Sequence, residues 1–157
     1  MAKAREVPGL HARLPFGEAA AATVRVRAQE LFDHQDGVLD TSDIEGVHAM
    51  RVATRRLRAV LEIYAPVFDQ ARYKPVLRDV KALADALGAR RDPDVQLAAL
   101  ARLGVEMPRA DLAGIDLLAD EVRDEQEQGN TLLAIALTEC DRSDLHGRLL
   151  ALVEDVA

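Results

Sequence analysis

HAMRVATRRLRAVLEIY, residues 48–64, runs for seventeen residues without a glycine or a proline. At 100° per residue, Val47, Met50, Thr54, Leu57, Leu61 and Tyr64 fall at i, i+3, i+7, i+10, i+14 and i+17, the apolar stripe of an amphipathic helix. His48, Arg51, Arg55 and Arg58, at i, i+3, i+7 and i+10, share a neighbouring arc of about 80°. Val52, Ala53, Val60 and Ile63 add apolar surface opposite that arc, so the helix is expected to be buried on more than one side, with its basic row looking into a groove. Charged helix residues ordinarily make a solvated face laced with i, i+4 ion pairs. Between residues 47 and 59, however, there are four arginines and no acid, and Glu62 alone brings a carboxylate onto the arc. Like charges at this spacing repel unless an anion lies among them. A guanidinium fork suits an anion with several oxygens, such as phosphate.

Outward from this helix the same period recurs. A first helix is expected over 16–35, opening after Pro15 and closing at Gly37. The second spans 43–64, capped by Ser42 with Glu45 three residues on and stopped by Pro66. The third spans 70–87 with Pro75 near its start and Gly88 as C-cap. Asp92 and Pro93 read as N-cap and first residue of a fourth helix, 92–103, ended by Gly104. Two more cover 108–128 and 131–153, divided at Gly129 and Asn130. No strand pattern competes. The expectation is an all-α antiparallel bundle of about six helices, with an N-terminal arm at 1–15 and one helical domain at 16–157. Composition agrees: 49% of residues are hydrophobic but only 3% aromatic, so the apolar mass is helix-favouring Ala and Leu, with Val. SDIEG at 42–46 and SDLHG at 143–147 echo each other, and chance accounts for the echo better than a decayed duplication.

Several classes of function fall away. No window approaches eighteen apolar residues, and the first residues carry charges where a signal peptide needs an apolar run, so a cytoplasmic protein with no membrane partner is expected. Cys140 has no second cysteine to pair with and reads as a small core residue. His11, His34, His48 and His146 show no zinc-ligand spacing, and no phosphate-binding glycine loop or nucleophile elbow occurs, so neither metal, cofactor nor catalytic residue is expected. The acids at 33–43 miss the calcium-loop register, and the acidic run 120–127 reads as a solvated face.

The formal charge of −7 hides a segregation. Residues 1–45 hold 5 basic and 8 acidic side chains, residues 46–91 hold 10 and 4, and residues 92–157 hold 5 and 15. In the basic block the third helix repeats the design of the second, with Lys74, Arg78 and Lys81 at i, i+4 and i+7 beside a stripe of Leu77, Val80, Ala84 and Leu87. Arg90 and Arg91 follow at the expected mouth of the fourth helix, whose N-terminus would favour an anion. The acidic block is expected to face away from the groove.

With EGVHAMRVATRRLRAVLEIY (45–64) and VLRDVKALADALGARRDPDV (76–95) set side by side, the chain resembles the CHAD family, the conserved-histidine α-helical domain. The resemblance implies a helical protein that binds inorganic polyphosphate in a basic groove, some relatives accompanying polyphosphate granules and others standing beside triphosphate-processing domains. It places His48 at the family's histidine, Arg51, Arg55, Arg56 and Arg58 in its arginine run, Lys81 before LG, and Arg91 with Asp92 at its RD pair. Family members usually comprise two such halves, whereas here nothing after Val95 repeats the basic run, which implies a truncated form or a homodimer supplying the second half in trans. The expected function is therefore non-enzymatic polyphosphate binding by His48, Arg51, Arg55, Arg56, Arg58, Lys74, Arg78, Lys81, Arg90 and Arg91. Protonated His48 would add a contact, strengthening binding as pH falls. The alternatives are a phosphoanhydride-processing enzyme or its accessory module, and a nucleic-acid binder. The last is disfavoured by the lack of aromatic interleaving for base stacking.

Overall fold

A computed structural model describes residues 3–156. Five α-helices account for most of them: α1 (Phe16–Asp33), α2 (Ile44–Ile63), α3 (Gln70–Glu106), α4 (Leu112–Arg142) and α5 (Leu145–Glu154). No strand occurs among the described residues, so the all-α class holds, with five helices in place of about six. No helix is long and apolar enough to cross a membrane among these residues.

The difference in count has a physical origin. Gly88, Pro93 and Gly104 do not divide the third element, nor do Gly129 and Asn130 divide the fourth; α3 and α4 run through them as 37- and 31-residue helices. Pro93 lacks the N–H that would bond to the carbonyl of Ala89, four residues earlier. That carbonyl faces Gly129 of α4, where a Cβ would stand only 2.6 Å from the Ala89 oxygen and 3.0 Å from the Arg90 Cα. Two helix breakers thus meet where the backbones of the antiparallel pair approach closely, the glycine allowing the approach. Gly129→Ala should therefore destabilise the protein by about 1–3 kcal/mol, because over-packing against backbone outweighs the gain in helix propensity. Gly114→Ala should stabilise it by about 0.5–1 kcal/mol, since its Cβ would meet nothing within 4 Å. Urea denaturation of the two variants should show midpoints moving in opposite directions.

Caps set the remaining ends. Asp43, not Ser42, caps α2, its carboxylate accepting the Glu45 N–H at 3.0 Å, while Ser42 Oγ donates to Asp40. Asp144, at φ +49°, caps α5 and accepts the Gly147 N–H at 3.1 Å, so the chain breaks at Ser143 and Asp144 rather than at Gly129. The echo between SDIEG and SDLHG is thus shared capping chemistry: the same aspartate starts a helix in each.

The core draws Val24, Ala28 and Leu31 from α1, Met50, Leu57 and Leu61 from α2, Val76 to Leu87 from α3, Leu133 to Cys140 from α4, and Leu145 to Val153 from α5. From α3 beyond Leu87 and from α4 before Leu133 nothing joins it. Those halves form a helical hairpin, and Val95, Leu103, Val105, Leu117 and Leu118 are exposed along it. Cys140 is buried as expected, and burial pushes its thiol up to about 11.

Candidate functional site

Packing α2 against the first half of α3 leaves an open groove of about 410 Å³ between them. Arg51, Arg55 and Arg58 form one wall, and Ala84, Asp85, Gly88, Ala89 and Asp92 form the other. The small residues give the groove its width. A Cβ on Gly88 would meet nothing within 4 Å. Arg51 and Arg55 have no ion pair within 4.0 Å among the described residues, and both are exposed. Beyond the groove α3 continues with Lys81, Arg78 and Lys74, which line a second depression of about 400 Å³ together with Leu77, Ala82 and Asp85.

The two basic rows meet at Glu62. Its Oε1 accepts from Arg58 Nε at 3.0 Å and lies 3.6 Å from Lys81 Nζ on the facing helix, so one carboxylate ties both rows together. The hydrogen bond from Arg58, then the charges of Arg58 and Lys81, hold the Glu62 carboxyl below the usual carboxylate range. An anion arriving at Arg58 and Lys81 must compete with it. Glu62→Gln should tighten polyanion binding several-fold, since both partners of an exposed pair worth at most about 1 kcal/mol are released and a repulsive charge is removed. The pH dependence has a definite sign. A bound polyanion stabilises protonated Glu62, so affinity should rise as pH falls through the acidic range in which Glu62 titrates, and Glu62→Gln should flatten that rise.

Other expected contacts lie elsewhere. Arg56 sits about 100° round the helix from Arg55 and faces α1: burial raises the Glu30 carboxyl, and the Arg5 amide, Arg27 and Arg56 more than offset it. Arg90 is fully buried, with Nη1 at 2.5 Å from Asp94 Oδ1 and Nε at 3.2 Å from Asn130 Oδ1. It joins α3 to α4 rather than lining the groove. Arg91 follows it inward, 3.9 Å from Asp94 Oδ2. Because α3 is continuous, neither arginine stands at a helix N-terminus. His48 is half-buried on the arc of the arginines, one turn before Arg51, and is not part of the groove lining. Arg78 keeps a local bond to Asp79, which also receives Arg148 from α5 at 2.7 Å.

Asp85 and Asp92 are groove residues; Asp85 carried no expectation, Asp92 was expected only as an N-cap and in the RD pair, and at Asp92 the acidic block does not face away as expected. The signal was present: Lys74, Arg78, Lys81, Asp85 and Asp92 lie at i, i+4, i+7, i+11 and i+18, one stripe of a continuous helix. A break expected at Gly88 hid it.

Two helices thus hold an arginine row across an open groove, with a second basic row continuing it along α3. The sequence profile of the CHAD domain matches residues 22–157, and the chain belongs to that family. No curated protein and no solved structure matches it.

Proposed function

We propose that the α2–α3 groove binds linear inorganic polyphosphate without transforming it. The observation that carries this reading is the pair of unpaired arginines, Arg51 and Arg55, facing an open cavity whose far wall sets the small residues Ala84, Gly88 and Ala89 beside Asp85 and Asp92. Guanidinium forks engage phosphate oxygens two at a time, and successive phosphates of one chain match successive arginines along a helix better than isolated anions do. Lys81, Arg78 and Lys74 extend the track once the Glu62 bridge gives way. Such binding is driven by charge pairing and release of counterions, so its logarithm should fall linearly with the logarithm of salt concentration. Titrating a medium-length polyphosphate at two ionic strengths tests this: absent or salt-independent binding would overturn it. In a cell this reading puts the protein with cytoplasmic polyphosphate granules.

One observation favours a second reading. Asp85 and Asp92 face the arginines across the groove, where a phosphoanhydride-processing enzyme would hold divalent ions. Release of orthophosphate from polyphosphate in the presence of magnesium would establish that reading over the first. Competition between polyphosphate and single-stranded DNA separates both from nucleic-acid binding.

A further inference from the structure

The acidic run of α4 bears a row that the groove does not use. Asp120, Asp124 and Glu127 recur at i, i+4 and i+7, the spacing of Arg51, Arg55 and Arg58 on α2. All three are exposed, and apart from the Asp120 contact with Arg123 they have no ion pair within 4.0 Å among the described residues. The row cannot turn to its own groove. Val122, Gly129 and Leu133 are buried on the face of α4 that packs on α3, which leaves Asp120, Asp124 and Glu127 on the side of the helix turned away from α3. Exposed Leu117 and Ile135, on the line through Asp124, bracket the row with apolar surface.

One molecule therefore carries an arginine row in which Arg51 and Arg55 have no ion pair and, on another flank, an acid row of matching register in which Asp124 and Glu127 have none. Pairing α2 with α2 in the ligand-free protein sets arginine against arginine, and pairing α4 with α4 sets acid against acid. Of the pairings between these two rows, only α4 of one copy against α2 of another joins opposite charges. We propose that the acidic flank of α4 docks on the arginine row of a second copy of this chain. A polyphosphate chain, if the groove binds it as read above, reverses the association by taking the same arginines. The contact is heterologous: each copy that gives its acid row still offers its arginine row, so assembly continues until a ring closes or concentration limits it.

Light scattering tests this. At about 50 mM salt the weight-average mass should grow with protein concentration, and at about 500 mM salt it should return to that of the 17.1 kDa chain, because screening shortens to a few Å. A copy with Arg51→Gln and Arg55→Gln and a copy with Asp120→Asn, Asp124→Asn and Glu127→Gln should each be monomeric at low salt. Mixed in equal amounts, they should form a dimer and nothing larger, since one intact row of each kind remains. Circular dichroism checks that both variants are folded. The proposal is overturned if the unmodified protein is monomeric at low salt, if the acid-row variant still assembles, or if the mixture gives no dimer. The acid-row variant also keeps the two hypotheses apart. If it fails to bind polyphosphate, the proposed function falls while the mixing result stands; if it binds but polyphosphate leaves the unmodified assembly intact, the shared-arginine contact is refuted.

Discussion

Replacing Arg51, Arg55 and Arg58 together with glutamine should weaken polyphosphate binding by about a thousandfold while leaving the protein folded. Each charge-assisted hydrogen bond to an anion contributes about 1.5–3 kcal/mol net, which is roughly ten- to hundredfold per residue. The three substitutions need not add fully, because the guanidinium groups share neighbouring phosphates. The salt dependence separates this from a loss of fold: each arginine removed should lower the slope of log affinity against log salt by about 1. The singles should also be ranked. Arg58 already bonds Glu62 at 3.0 Å and must exchange that partner for phosphate, so its loss should cost least. None of the three belongs to the apolar core, and removing like charges at i, i+4 relieves repulsion, so thermal unfolding should shift little and, if anything, upward. Isothermal titration at two salt concentrations, alongside a melting curve for each variant, reads both quantities. Equal binding by the triple variant would remove the groove from consideration.

That prediction rests on the part of the molecule most legible from sequence. Most of the α2 stripe and the arc beside it came out at the positions that periodicity assigned, since Val47, Met50, Leu57 and Leu61 are buried while Arg51, Arg55 and Arg58 line the groove; His48 stays outside the groove lining, and Ile63, expected on a second buried side, is exposed. A single amphipathic helix has few alternatives once its apolar side is fixed. Pairwise events were not legible. Pro93 and Gly129 are each a break signal in isolation, yet α3 and α4 run unbroken through both where their backbones approach, and nothing local to either residue says so. The same limit applies to Arg90. As one of two adjacent arginines in a basic block it reads as a surface cation; its burial follows from where α4 lies, a long-range fact. Glu62 shows the intermediate case, visible on the basic arc from spacing, but revealed as a bridge to Lys81 only when the facing helix is in place.

Arg90 and Asp94 also give the largest stability effect expected outside the groove. Both side chains are fully buried, one turn apart on α3, and they are held by neighbours on α4: Asn130 accepts from Arg90 Nε, and Gln126 donates to Asp94 Oδ1 at 2.6 Å. Asn130 in turn donates to the Leu39 carbonyl at 3.0 Å, so the cluster joins the root of the hairpin to the loop ahead of α2. Asp94→Asn leaves the guanidinium buried without its counter-charge and should destabilise the protein by about 3–5 kcal/mol, a large share of the stability of an ordinary domain. Replacing both partners with apolar residues, Arg90→Met with Asp94→Leu, should cost far less than the single change, because no uncompensated buried charge remains and the two buried atoms now without a hydrogen bond, Arg90 Nη2 and Asp94 Oδ2, disappear with the pair. Urea denaturation at low temperature, where the single variant is still folded, should show this strong non-additivity. The double variant should keep the salt slope of polyphosphate binding unchanged, since Arg90 is fully buried and outside the groove lining. A slope lowered by about 1 in a folded double variant would return Arg90 to the binding track, and a single variant as stable as the unmodified protein would mean the pair contributes nothing beyond its packing.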